Sequence, residues 1–327
     1  MSASEQLGAV LAAGGPGLAA GLRSAEERLG AVAGANGEVL AAHAGGTLAA
    51  GGKRLRPLLV FLCGGTGEPD GQLIAAAAAV ELLHMATLVH DDVLDQASLR
   101  RGTPTVSTTA GRTAATATGD FLFSRAFAEL AGTGSPDAVR ALSVASSALA
   151  RGELMQRADA WSDDVSTERY LARCELKTGS LFAASSRLGA VLSDRGAAAE
   201  QALASFGERI GVAFQILDDV LDVSGPAERT GKHRGTDLLD GTVTLPLIVA
   251  LDREPAIARV DLRSIADPRD AEAMCDHIAA TGALDESRAQ ALEHVAEAKQ
   301  QLTGVELEPW QRTALDLVAD GVVARYA

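Results

Sequence analysis

Along the chain, apolar residues recur at helical intervals, and strand-like alternation is nearly absent. From Gly51 to about Leu247 one helical pattern follows another, with short breaks at Gly64-Gly65, Gly132-Thr133-Gly134 and Gly225-Pro226. Leu73 to Asp95 reads as one long helix, since nothing interrupts it before Arg101-Gly102-Thr103-Pro104. A second predicted helix covers roughly Ser205 to Asp222 and ends near Ser224-Gly225-Pro226. Residues 1–37 are Ala/Gly-rich, and Gly14-Gly15-Pro16-Gly17 interrupts any early helix, so a weakly structured or variable segment is expected there. Residues 250–327 read as further helices with no chemical signature. No Pro- or Ser-rich linker divides the chain and no fixed-period repeat runs through it. The expectation is therefore one all-α domain over residues 1–327.

Composition sharpens this picture. A length of 327 residues fits two average domains or one large core. Alanine makes up about a fifth of the chain and aromatics only 3%, which favours close-packed helices. At 47% hydrophobic the chain is too apolar for disorder. Its best candidate for a membrane span, Leu73 to Val89, carries Glu81 and His84, so no span is expected. The first residues lack a basic region followed by an apolar run and a cleavage site, so no signal peptide is expected. Cys63, Cys174 and Cys275 are scattered without a CxxC pair, as reduced thiols of a cytoplasmic protein would be. The formal net charge is −14, which argues against nucleic acid as a partner.

Two acidic clusters change the reading from fold to chemistry. Asp91-Asp92-Val93-Leu94-Asp95 and Asp218-Asp219-Val220-Leu221-Asp222 are the same pentapeptide. Positions i and i+4 share a helix face, so Asp91 points with Asp95, and Asp218 with Asp222. Like charges so placed repel, and a helix has no structural reason to do this twice. A hard cation answers the repulsion: carboxylate oxygens suit Mg²⁺, which keeps waters and reaches substrate phosphates through one or two carboxylates. The alternative is two solvated acidic faces, but Leu88-Val89 and Ile216-Leu217 bring both clusters out of apolar, buried-type segments. Asp163-Asp164 has no aspartate four residues on and reads as an ordinary solvated loop.

Cations complement the acids. Gly51-Gly52-Lys53-Arg54-Leu55-Arg56-Pro57 sets three beside a flexible Gly-Gly turn, in the form that diphosphate oxygens need. A solvent-facing helix start is the plain alternative. His84 lies seven residues before Asp91, on the aspartate face. Arg100-Arg101-Gly102 follows the same helix, where cations are favoured by the helix dipole in any case. Only four lysines occur, and three sit in suggestive places: Lys53, Lys177-Thr178-Gly179 and Gly231-Lys232. Lys299, in a polar helix, is the exception.

Taken in order, GGKRLRP, HMATLVHDDVLDQASLRRGTPTV, GDFLFSRAF, KTGSLF, GVAFQILDDVLD and GKHRGTDLLDGTVTLPLI resemble the trans-type isoprenyl (polyprenyl) diphosphate synthases over about 200 residues, from Gly51 to Ile248. The resemblance implies an all-α helical bundle around a deep central cavity, with the two aspartate motifs facing each other at its mouth. It implies Mg²⁺-dependent addition of isopentenyl diphosphate to an allylic diphosphate, with two or three ions per site. The allylic C–O bond ionises, the isopentenyl double bond attacks the cation, and the released diphosphate takes the proton. Metals and cations are required because diphosphate is a poor leaving group until its charge is neutralised. By resemblance Asp91, Asp95, Asp218 and Asp222 are metal positions, with Asp92 and Asp219 supporting. Lys53, Arg56, His84 and Arg101 match the isopentenyl diphosphate positions. Arg100, Lys177, Thr178, Gln215 and Lys232 match the allylic ones. A homodimer is implied, and the apolar product would partition into membrane.

The match departs from the usual pattern at three places: His233 stands for proline, Asp240 for glutamate, and Thr242 for a second lysine. The last removes one allylic-side cation. In the resembled family, residues four and five before the first aspartate line the channel for the growing chain; here they are Thr87 and Ala86. Neither is aromatic, and Leu83, Leu82 and Ala79 lie one turn deeper. Small side chains leave room, so a product of about C30 to C50 is expected. The alternatives are a C15–C20 synthase, with a floor set by Phe121, Phe123 or a partner helix, and a class I terpene cyclase. A second DDVLD argues against the cyclase, the intact aspartates against a non-catalytic partner subunit, and the motif order against an acidic scaffold.

Overall fold

The computed structural model describes all residues except 1–2, 36, 50–51, 53, 66–69, 101, 226–233 and 325–327. Among the described residues the chain is helical apart from a two-residue antiparallel hairpin. The elements that position the cavity are α1 (Ala3–Gly34), α2 (Glu38–Ala49), α3 (Leu55–Gly64), α4 (Gly71–Leu94), β1 (Leu99–Arg100) and β2 (Thr103–Pro104). After α5 (Val106–Ala110) come α6 (Arg112–Ala131), α7 (Pro136–Ala158), α8 (Thr167–Cys174), a π turn (Glu175–Gly179), α9 (Ser180–Leu192) and α10 (Ala197–Ser224). Four more helices follow: α11 (Thr236–Leu239), α12 (Leu245–Arg253), α13 (Pro268–Ala280) and α14 (Ala283–Gln301), with α15 (Pro309–Ala324) closing the chain.

Helix α4 is the axis of the fold. Asp70 caps its first turn, accepting a 2.7 Å hydrogen bond from Gln72 N. It is long and apolar enough to cross a membrane by length and composition, yet 67% of its most apolar window is buried against other helices. Glu81, one of its two buried acids, is explained by a partner outside the helix. Arg54, at the left-handed start of α3 (φ 49°), donates to Glu81 at 2.5 Å and also pairs closely with Glu26. The pair neutralises Glu81 inside the core, where a lone carboxylate would be costly.

The N-terminal segment corrects an expectation. Residues 1–37 read as weakly structured, but α1 is helical over Ala3–Gly34, and the expected interruption survives only as a kink at Gly15 (φ 69°, ψ −175°). The cause is a stripe of Leu18, Leu22, Ala25, Leu29 and Val32, spaced four, three, four and three residues apart. Of these, all but Leu22 are fully buried and Leu22 packs against the same core. Small alanines between the leucines mask that stripe in the sequence. The buried side chains run as one set from Val10 to Val322.

Two glycine contacts set helix spacing near the site. A Cβ on Gly211 of α10 would sit 2.8 Å from Gly179 Cα, and one on Gly152 of α7 would sit 2.8 Å from Lys177 N. Both helices thus press directly on the π turn. Such turns leave the regular i→i−4 ladder and recur at functional positions.

Candidate active site

A cavity of about 1000 Å³ opens between α3, α4, α7, α9 and α10, at the upper end of small-molecule pockets, which run roughly 300–1,000 Å³. Its mouth is acidic and basic, while its depth is lined by Leu83, Leu149, Leu181, Phe182 and Phe214. The Phe182 and Phe214 rings lie 5.8 Å apart. Asp91, Asp95, Asp218 and Asp222 all line it, so the two pentapeptides converge from α4 and α10 as their i, i+4 spacing demands.

In both motifs the second aspartate turns inward. Asp92 is buried and accepts from Arg100 Nε at 2.6 Å, which fixes that arginine at the cavity wall. Asp219 is buried too, accepting from Tyr170 Oη and from Gln215 Nε2, each at 2.7 Å. Thr178 Oγ1 in turn donates to Gln215 Oε1 at 2.7 Å. Gln215 and Thr178, matched to the allylic diphosphate, both line the cavity and belong to a part-buried chain that orients Asp219. Burial pushes the Asp219 carboxyl up, and nearby Asp237 adds to the rise against the two donors.

Asp91 and Asp95 are less enclosed than Asp92 and Asp219. Burial raises the Asp91 carboxyl to about 6, with Lys177 opposing and Glu153 and Asp95 reinforcing the shift. A partly buried carboxylate beside two others is short of positive charge, and an all-oxygen donor set of this kind fits a hard divalent cation. Among the described residues no three His, Cys, Asp or Glu side chains enclose a ready-made metal cage.

Lys177 sits in the π turn and donates to Glu153 at 2.6 Å and Gln156 at 3.2 Å. Glu153, Gln156, Tyr170 and Arg173 line the cavity and were not anticipated. The GELMQ stretch of α7 carried a usable signal in Gly152, whose missing side chain lets Lys177 approach. Burial favours the neutral form of Glu153, but Lys177 and Arg157 outweigh it and hold the carboxyl below its ordinary value. Thr242 lines the cavity beside Gln156, whose Nε2 lies 3.5 Å from Thr242 Oγ1.

On the opposite side, Arg56 lies 4.6 Å over the Phe182 ring, and His84 borders both the main cavity and a smaller one of about 260 Å³. Lys53, Arg101 and Lys232, three of the expected diphosphate cations, lie outside the described residues, as does His233. Leu83 and Thr87 line the cavity, as does Phe123; Ala86, Leu82, Ala79 and Phe121 do not. Ala86 is wholly buried, as are Ala76 to Ala79. The alanine run leaves no room there, since it is packed inside the core. Asp163 and Asp164 are exposed in a loop, as expected.

A cavity lined by both charged and apolar side chains inside an all-α bundle suits a substrate with an anionic head and an apolar body. The polyprenyl synthetase family profile matches residues 38–281. The chain is 39% identical over 274 residues to heptaprenyl diphosphate synthase component 2 of Geobacillus stearothermophilus, covering 83% of this chain and 85% of that protein. A polyprenyl synthase of Caulobacter crescentus CB15, solved with calcium and isoprenyl diphosphate, superposes with a TM-score of 0.88 at 36% identity, covering 94% of this chain and 96% of that one. Heptaprenyl diphosphate synthase of Staphylococcus aureus gives a TM-score of 0.89 at 29% identity, covering 95% and 99%. The chain belongs to the polyprenyl synthetase family and is a prenyl diphosphate synthase.

Proposed function

We propose that the protein adds isopentenyl diphosphate repeatedly to an allylic diphosphate and releases an all-trans product of about C30 to C50. The observation that carries this reading is the convergence of Asp91, Asp95, Asp218 and Asp222 on the mouth of one apolar-walled cavity. Two or three Mg²⁺ ions held there would supply charge neutralisation to the departing diphosphate. Lys177 and Arg100, each set by a buried or half-buried acid, hold the allylic diphosphate oxygens, with Lys232 joining them. Arg56, His84, Lys53 and Arg101 bind isopentenyl diphosphate. Leu181, Phe182 and Phe214 exclude water from the allylic cation, which would otherwise be quenched as an alcohol. The proton leaves to the released diphosphate.

Thr87 at the wall and the heptaprenyl-named relatives support the long product. Leu83 and Phe123, which also line the cavity, favour the second reading, a C15–C20 product. We further propose one folding unit acting in the cytoplasm as a homodimer. The exposed apolar Phe123, Val144 and Leu154 on α6 and α7 support the pairing, and light scattering would measure it.

Labelled isopentenyl diphosphate with Mg²⁺ and C10, C15 or C20 primers tests the reaction, product length being read by chromatography. No elongation from any primer refutes it, and a cyclic hydrocarbon from one primer favours a cyclase. Asp91→Ala is expected to abolish turnover; an unchanged rate would overturn the metal assignment.

A further inference from the structure

One cation near the mouth has no part in the reading above. Arg157, in the last turn of α7, donates from its terminal nitrogen to Asp95 Oδ1 at 2.5 Å and from Nε to Glu153 Oε1 at 2.8 Å. Asp95 is the last residue capping α4, so the pair ties the ends of two helices together. It also places a guanidinium on the oxygen that a divalent ion would need. The ions on either side of the contact are one third to two fifths exposed, so the pair is held loosely enough to exchange. Glu153 keeps the arginine in place from its own helix one turn back, while its other oxygen holds Lys177. The charges facing Asp95 are Asp91 from α4 and Arg157 from α7, with Glu153 holding Arg157 and Lys177 in turn.

We propose that Arg157 is a counter-ion latch on the first aspartate motif. In the metal-free protein its guanidinium occupies Asp95 and keeps two repelling carboxylates, Asp91 and Asp95, quiet. Binding of a divalent ion requires that this pair open, so Arg157 sets the ion concentration at which the site fills. The inference rests on the assignment of Asp95 as a metal position.

The test is direct ion binding by the full-length protein. Calorimetric titration with Mn²⁺ and inorganic pyrophosphate would compare wild type, Arg157→Gln and Arg151→Gln, the last removing an exposed arginine of the same helix that does not touch Asp95. Arg157→Gln is expected to bind Mn²⁺ two- to fivefold more tightly, equivalent to about 0.4–1 kcal/mol at 1.4 kcal/mol per tenfold. The difference should narrow in 0.5 M KCl, about a 4–5 Å screening length, because the pair is partly exposed. Arg151→Gln should match wild type. Wild type that fails to bind Mn²⁺ overturns the metal assignment itself. Wild type that binds while Arg157→Gln binds no more tightly overturns the latch alone, and so does an equal gain in Arg151→Gln, which would reduce the effect to net charge. Circular dichroism melting of each variant verifies that the folded protein is being titrated.

Discussion

Tyr170→Phe removes one oxygen from the core and nothing else. Tyr170 is fully buried, and its hydroxyl donates to Asp219 Oδ2 at 2.7 Å, while Gln215 serves Oδ1. Burial, with Asp219 alongside, holds the phenol well above its ordinary value, so it remains a donor at every usable pH. Phenylalanine keeps the ring and its packing under Arg173, which lies 5.2 Å from the ring centroid. What is lost is one hydrogen bond to a buried acid, worth about 1.5–3 kcal/mol. With a urea slope of about 3 kcal/mol per molar, the midpoint should fall by roughly 0.5–1 M at unchanged slope. The measurement is urea unfolding followed by circular dichroism in EDTA, which takes any bound ion out of the comparison. A cycle with Asp219→Asn should show a coupling above about 1 kcal/mol, since the two groups touch. A midpoint shift under 0.1 M with negligible coupling, about 0.3 kcal/mol or less, would refute the reasoning.

Other outcomes follow from the same geometry. Thr87→Phe, on the cavity wall, should shorten the product, whereas Ala86→Phe, whose Cβ is packed against neighbours, should cost about 1–3 kcal/mol of stability by overpacking. Product chromatography and thermal melts separate the two, and shortening by Ala86→Phe at full stability would show that the wall is misplaced. Gly152→Ala gains about 0.5–1 kcal/mol of helix propensity but forces its Cβ against Lys177 backbone at 2.8 Å. We expect kcat/KM to drop about tenfold or more, because a misplaced binding group costs rate steeply; full activity would remove the close contact from the account. The three cysteines are buried, and burial pushes Cys63 and Cys174 to about 12 and Cys275 to about 11. A raised thiol value leaves little thiolate at pH 8, so a disulfide dye should label no thiol quickly until urea unfolds the chain. A fast-reacting thiol in the native protein would contradict that burial.

Much of the site was legible in the sequence because its geometry is local. Two DDVLD motifs carry their own i, i+4 alignment, and Leu73 to Asp95 differs from α4 by a residue or two at each end. Gln215 stands four residues before Asp219, on the same helix face, and the hydrogen bond joins them. What depended on long-range packing was not legible. The stripe in α1 was hidden among alanines, and Ala79 and Ala86, small enough to leave room, are buried in the core and do not border the cavity. Glu81 looked like a flaw in an apolar helix until Arg54, 27 residues earlier in the chain, was found against it.

The sequence by itself determined the all-α class, the two acidic faces and the pairing of first with fifth aspartates, since each follows from helical periodicity within a few residues. Only the tertiary structure decided which acids are anchored: Asp219 borders the cavity with Asp91, Asp95, Asp218 and Asp222 yet is held by hydrogen bonds, whereas Asp92 does not border it. Asp92 and Asp219 are turned inward by Arg100, Tyr170 and Gln215, and Asp95 is met by Arg157, 62 residues away along the chain. A carboxylate's role depends on the charge and solvent around it, and in a bundle those come from helices remote in sequence.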